Sequence, residues 1–281
     1  MRDITFDRSL YSINTATLGF KTDLEKIINM CAKREIGWIS PWRSELEKNN
    51  INDISNLLKK KKIKVSSLCR SSYYTASTKE ARLKAIDDNK KWLHIAEKLN
   101  ASCYMQVVGS LYAGEKNLAL VREQVKEGIN SLLETSFNTG VPISIEPLHP
   151  MTCGDRSCIT TLKEALDLCD DLDPSGKYRL GVTVDVYHTW WDASLFEQVK
   201  RAGNRIHAYH VSDWKLNTCD LVNDRGMPGE GCIDLKQIRN QVESCGYTGP
   251  VEIEVFSKDF WWKKSTEEIL DACISTISKY C

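Results

Sequence analysis

The sequence predicts an α/β chain folded as a single (β/α)₈ TIM barrel over residues 1–281, and three observations carry the prediction. Eight short β-branched or apolar runs alternate with longer stretches whose apolar residues recur at three- and four-residue steps. Each strand-to-strand unit averages about 35 residues, room for a helical crossover, so the strands should run parallel. The length of 281 residues suits one barrel, a fold that typically needs about 250. An open doubly wound sheet is the alternative architecture. It calls for a glycine-rich phosphate turn after an early strand, and neither a GxGxxG nor a P-loop pattern occurs.

In chain order the expected strands are 10–15, 36–40, 64–68, 103–108, 141–145, 180–184, 206–211 and 251–255. Two of the intervening helical patterns are the clearest. One places Ala81, Ala85, Trp92, Ile95, Ala96 and Leu99 on a common face; the other places Leu118, Val121, Val125, Ile129, Leu132 and Leu133 on one. The lysines at 59–62 follow Leu57 and Leu58 where a helix should end, and cations there suit the negative pole of its dipole. The longest irregular stretch is 213–233, between the seventh strand and its helix, and loops of that length inside a compact domain are usually functional.

Composition narrows the function. The 38 basic and 38 acidic side chains cancel, whereas a protein that grips phosphate backbones usually carries a basic surplus. The 11 cysteines are scattered, form no CxxC pair and are odd in number, which points to free thiols in a reducing compartment. The N-terminus has acidic residues and no apolar stretch, so no secretory signal is expected there. No run reaches the roughly 18 apolar residues of a membrane span. A cytoplasmic protein is the expectation.

The chemistry lies at the strand ends. The fifth expected strand ends in Glu146, the sixth in Asp185, the seventh in His210 and the eighth in Glu254. In a barrel these ends are neighbours around one rim. Three carboxylates and an imidazole converging there would repel unless a cation neutralised them. Three oxygens and one nitrogen suit Mn²⁺, Mg²⁺, Co²⁺ or Zn²⁺, with the oxygen-rich set leaning towards the harder ions; Mn²⁺ is the ion expected, one per chain. Simpler readings stand beside this one. Asp185 can cap the following loop. His207 alternates with His210 and should face the helix layer. Glu252, earlier on the face of Glu254, reads as a buried partner for a basic residue such as Arg179 or Lys215.

The chain resembles the xylose-isomerase-like barrels, often called sugar phosphate isomerases/epimerases, over essentially its whole length. The residues that carry the resemblance are Ile145-Glu146-Pro147-Leu148-His149-Pro150, Val184-Asp185-Val186-Tyr187-His188-Thr189-Trp190-Trp191 and His210-Val211-Ser212-Asp213-Trp214. They continue with Asp224-Arg225-Gly226-Met227-Pro228-Gly229-Glu230-Gly231 and Glu252-Ile253-Glu254-Val255-Phe256-Ser257, then Trp261-Trp262. The resemblance implies one divalent cation held by Glu146, Asp185, His210 and Glu254, as in ketose 3-epimerases and inosose isomerases. It also implies that Glu146 and Glu254 exchange protons with the substrate from opposite faces, and that His188 and Arg225 hold substrate oxygens.

The physical chemistry fits those roles. A proton beside a carbonyl is too weakly acidic for a free carboxylate to remove quickly. A cation on the carbonyl and the adjacent hydroxyl stabilises the enediolate, and a carboxylate on each face allows removal and redelivery. His149, three residues past Glu146, is a further base or acid near the rim, or only a hydrogen-bond partner for a loop. Trp42 can form a wall against a sugar face. Arg70 and Gln106, at the ends of the third and fourth strands, are further substrate contacts. Trp190, Trp191, Trp261 and Trp262 read as rim residues. The turn at 228–231 is expected to fold back across the mouth.

Three functions remain in play. The first is an isomerase or epimerase of a ketose, keto-sugar or inosose. The second is a lyase that eliminates a β-substituent after the same proton abstraction; inosose dehydratases and the catalytic subunits of C-glycoside-cleaving enzymes resemble this fold too. An acid beside the leaving group, for which His149 is the candidate, would favour it. The third is an apurinic endonuclease of the endonuclease IV type with three zinc ions. That family has additional histidines where this chain has Cys69-Arg70, Gln106-Val107 and Gly226. The expected partner is a small carbohydrate, unphosphorylated because no phosphate-gripping glycine loop follows the last strands. Nucleic acid and membrane are not expected, and a homo-oligomer is compatible with the sequence.

Overall fold

The computed structural model describes residues 2–281 and contains eight strands. They are β1 (Tyr11–Asn14), β2 (Trp38–Ser40), β3 (Lys64–Val65), β4 (Tyr104–Gln106), β5 (Ile143–Ile145), β6 (Gly181–Asp185), β7 (Ile206–Val211) and β8 (Val251–Ile253). All ladder pairs are parallel, in the order β3-β2-β1-β8-β7-β6-β5-β4. The last gap, between β3 and β4, is spanned by parallel bridges from Val65 to Ala101 and from Leu68 to Tyr104. The sheet therefore closes on itself. This is the expected TIM barrel, and the open sheet is excluded. No helix among the described residues is long and apolar enough to cross a membrane.

Strand periodicity sorts the side chains. Tyr11, Ile13, Ile143, Ile145, Val182, Val184, Val251 and Ile253 are fully buried in the apolar core. Their alternates are polar: Ser12 pairs with Ser66 across the interior at 2.7 Å, and Ser144 with Thr183 at 2.7 Å. Because side chains alternate along a strand, Ser12 and Asn14, Ser144 and Glu146, Thr183 and Asp185, and Glu252 and Glu254 share the inward face. The polar lining is what allows ionisable groups to stand in the mouth with partners.

The helical patterns fold as expected, with two differences. Helix Lys79–Lys98 starts at Thr78, whose hydroxyl accepts from Ala81 N–H, but Ala81 is exposed and its buried face begins only at Asn89, followed by Trp92, Leu93 and Ala96. The second pattern splits into Leu118–Asn130 and Leu133–Thr139. The four lysines do close a helix, Ile51–Lys61, with Lys62 in a left-handed turn.

His207 points to the helix layer as expected, its Nε2 donating to the Arg179 carbonyl at 2.7 Å. Burial pushes its pKa down to about 4. The unfolded chain accepts a proton near pH 6.5 that the folded chain refuses until about pH 4. This contribution to stability is thus intact above the unfolded pKa and lost as pH falls through the folded one. His207→Asn, which cannot titrate, is expected to flatten the decline in melting temperature across that window. A decline parallel to the wild type would remove His207 from acid sensitivity.

Candidate metal centre and active site

Four consecutive strands deliver the site. Glu146 follows β5, Asp185 ends β6, His210 lies within β7 and Glu254 follows β8. The register places Asp185 beside His210, and His210 beside Glu252. One ligand atom from each of Glu146, Asp185, His210 and Glu254 lies within 4.8 Å of the others, and all four residues are buried. His210 Nδ1 is 3.2 Å from Glu146 Oε1 and 4.0 Å from a Glu254 oxygen. Glu146 Oε1 and both ring nitrogens of His210 are buried without a properly formed hydrogen bond. Asp185 serves twice: Oδ1 accepts from Tyr187 N–H at 2.8 Å and caps the turn Val186–Thr189, while Oδ2 faces the cluster. Its capping role and its place in the cluster are therefore compatible.

Arg225 enters this mouth from the long loop. Its Nη1 lies 3.2 Å from Asp185 Oδ2 and 3.0 Å from Glu254 Oε2. Its guanidinium rests over the Tyr187 ring at 4.5 Å and the Phe256 ring at 5.1 Å. The loop that carries it is ordered by Asp213, whose carboxylate accepts from the backbone N–H groups of Trp214, Gly229 and Ile233. A bridge between Asp213 and Gly226, and another between Asp224 and Ser257, pin the segment on either side of Arg225. The expected turn across the mouth is corrected. A Cβ on Gly229 would come within 2.5 Å of the Tyr280 ring, and Glu230 accepts from the Trp261 indole. The 228–231 turn thus packs against the last helix and the Trp261 rim, and it is Arg225 that reaches inward.

The electrostatics follow from burial. Desolvation raises the pKa of Glu146, and raises Asp185 to about 7 although Arg225 opposes it. Burial disfavours a charged His210, but Glu252 and then Glu146 outweigh it and bring the imidazole up to about 10. Burial, with Arg225 nearby, pushes His188 well below its ordinary value. Its Nδ1 accepts from His149 N–H at 3.0 Å, so the ring proton sits on Nε2, 3.6 Å from Asp185 and 3.1 Å from Arg225 Nη2. Two N–H groups therefore converge on one point of the mouth with few acceptors of their own.

The other expected contacts spread outwards. The Trp42 indole donates to Asn14 Oδ1 at 2.7 Å, and its ring meets Phe20 and Phe256 edge-on. With Arg43, Arg70 and Tyr73 it lines a groove of about 540 Å³ on the flank of the mouth. Arg70 lies over the Tyr73 ring there at 4.7 Å. Gln106 is fully buried but engaged, accepting from the Tyr74 hydroxyl and donating to the Tyr104 carbonyl. His149 stacks on Trp214 at 4.8 Å and its Nδ1 accepts from Met151 N–H, leaving Nε2 as its open nitrogen; burial lowers its pKa.

Sequence reasoning missed Asn14. Its amide donates to Glu254 at 2.9 Å and to Glu252 at 3.0 Å, so it ties both glutamates to β1. A polar residue at the C-terminal end of the first strand was the available signal. The partner expected for Glu252 is also corrected. Arg179 is exposed and Lys215 pairs with Asp224; Glu252 is instead surrounded by Asn14, Ser66 and His210.

Comparison with known proteins adds an independent line. A family described as xylose isomerase-like TIM barrel matches residues 29–275. The inosose isomerase of Bacillus velezensis (strain DSM 23117 / BGSC 10A6 / LMG 26770 / FZB42) is 23% identical over 283 aligned positions, covering 95% of this chain and 96% of that protein. Among solved structures, protein SMc04130 from Sinorhizobium meliloti 1021 superposes with a TM-score of 0.94 at 39% identity, covering 98% of this chain and 99% of that one. The IOLI protein, solved with a bound zinc atom, superposes with a TM-score of 0.81 at 20% identity, covering 96% of this chain and 99% of that one.

Proposed function

The chain belongs to the xylose isomerase-like TIM barrel family, and from that premise we propose that it is a sugar isomerase or epimerase that moves a proton next to the carbonyl of a ketose, keto-sugar or inosose. The observation that carries the reading is the convergence of Glu146, Asp185, His210 and Glu254, with ligand atoms within 4.8 Å, at one rim of the barrel. The inosose isomerase relative supports the reaction class.

A divalent cation fits these residues. Glu146 Oε1 and His210 Nδ1 are buried without a well-formed hydrogen bond and lie 3.2 Å apart, facing the same cluster, which is the setting of two ligand atoms. Among the described residues, the four buried carboxylates, counting Glu252, have only Arg225 and His210 as nearby cations. Glu146, Asp185, His210 and Glu254 would hold the ion, and the three-oxygen, one-nitrogen set favours Mn²⁺, with Mg²⁺, Co²⁺ and Zn²⁺ compatible. When bound, it supplies Lewis-acid polarisation of the substrate carbonyl, which acidifies the neighbouring C–H.

The protein's own groups do the rest. Glu146, its proton affinity raised by burial, is suited to take a proton from carbon. Glu254, held by Asn14 and Arg225, is oriented to return one from the other side. Arg225 Nη1 is taken by Asp185 and Glu254, but its Nη2 faces the Nε2–H of His188 at 3.1 Å, two donors for which a substrate hydroxyl or carbonyl oxygen would supply the acceptor. Tyr187 and Phe256 carry the Arg225 guanidinium on their rings, and Trp42, edge-on to Phe256 and lining the flanking groove, is the aromatic wall offered to a sugar ring. Elimination would also need an acid for the leaving group. His149 is a weak donor for that purpose because burial favours its neutral form.

The test is a panel of inososes, ketoses and 3-keto-glycosides incubated with the Mn²⁺-loaded protein and followed by NMR. An isomerised or epimerised product with all substituents retained is expected. Loss of a β-hydroxyl or aglycone would reassign the protein as a lyase.

A further inference from the structure

We propose that Glu252 is a positioning residue: its carboxylate holds the His210 ring so that Nδ1, and not Nε2, faces the cation site. The inference rests on the metal-centre reading above. Glu252 is not one of the four converging ligands. It sits directly opposite His210 in the β7–β8 register and is 1% exposed. Its Oε1 lies 3.3 Å from His210 Nε2, while His210 Nδ1 lies 3.2 Å from Glu146 on the other edge of the ring. The imidazole therefore bridges one carboxylate below and the ligand cluster above.

The carboxylate is itself fixed. Ser66 donates to Oε2 at 2.6 Å and Asn14 to Oε1 at 3.0 Å, while the Ser12 and Ser67 hydroxyls stand at 3.5 Å. Among the described residues, His210 is the only basic side chain within ion-pair distance of it. Both ring nitrogens stand beside a carboxylate, but only Nδ1 faces the ligand cluster, so once a cation takes the Nδ1 lone pair the ring hydrogen is left on Nε2, beside the Glu252 acceptor. A carboxylate behind a ligating histidine also makes the imidazole a stronger donor, and losing such a partner typically costs about 10–100-fold in metal affinity. The buried partners explain why a second glutamate stands two residues before Glu254 on the same face: it serves the neighbouring strand's histidine.

Two measurements on the full chain test this. In the Zn²⁺-loaded wild type, long-range ¹H–¹⁵N spectra, with His210 assigned by its loss in His210→Gln, should show Nδ1 bound to zinc and Nε2 protonated. The opposite arrangement overturns the proposal without mutating Glu252. Second, metal-stripped wild type, Glu252→Gln and Glu252→Leu are titrated with Zn²⁺. Leu, which cannot accept, should weaken binding by about 10–100-fold, and Gln, whose carbonyl can still accept, by less. Wild-type affinity in both variants overturns the proposal. If the wild type itself takes up no cation, the metal-centre reading fails first, an outcome distinct from unaltered binding in the variants.

Discussion

Glu146→Gln and Glu254→Gln are each expected to lower turnover by at least about a hundredfold, the lower range for a lost acid or base. Gln keeps the shape and one acceptor oxygen, so folding should survive. What it removes is the capacity to carry a proton, together with one negative charge from the proposed ligand set, so turnover is compared at saturating Mn²⁺. Glu146 is the more sensitive position for abstraction, because its Oε1 is buried and unpartnered and desolvation has raised its proton affinity. Glu254 is braced by Asn14 at 2.9 Å and Arg225 at 3.0 Å, a setting that would hold it still for the proposed redelivery. Steady-state kinetics on a substrate found by the panel check this. Near-normal turnover in either variant takes that glutamate out of proton transfer.

Removal of the cation is expected to have the larger effect still. Chelation with EDTA should abolish activity, and Mn²⁺, Co²⁺ or Mg²⁺ should restore it, with elemental analysis giving one ion per chain. The reason is electrostatic: a carbonyl-adjacent C–H is too weak an acid for a carboxylate unless developing negative charge is stabilised. Full activity in a metal-stripped sample contradicts the account. Three ions per chain would return the endonuclease reading to the front.

Much of this was legible in the sequence, and the reason is parity. The polar alternates earlier on β1, β5 and β6, Ser12, Ser144 and Thr183, are uncharged, so the ionisable Glu146, Asp185, His210 and Glu254 stood out at strand ends. Eight units of similar length then made their convergence a geometric consequence. Loop contacts were less legible. Nothing local distinguishes a 228–231 turn that crosses the mouth from one that packs on Tyr280, because the outcome depends on a helix that comes much later in the chain. Asn14 was overlooked because its partners, Glu252, Glu254 and Trp42, are brought to it only by closure of the barrel. The same closure gave Glu252 a histidine and two hydroxyl-bearing strands as neighbours in place of the expected Arg179 or Lys215. Trp42 was read as a wall for sugar, and its ring does line the groove, but its N–H is committed to Asn14.

The most direct measurement of the central claim is the fate of the carbon-bound proton when the Mn²⁺-loaded enzyme turns a keto-substrate over in D₂O. Proton transfer through Glu146 and Glu254 exposes the abstracted proton to exchange. Proton NMR should then show deuterium at one carbon of the product and, on long incubation, at the matching carbon of recovered substrate. An isomerised product free of deuterium would mean that hydrogen passes directly between carbons as hydride, and would contradict the two-glutamate mechanism.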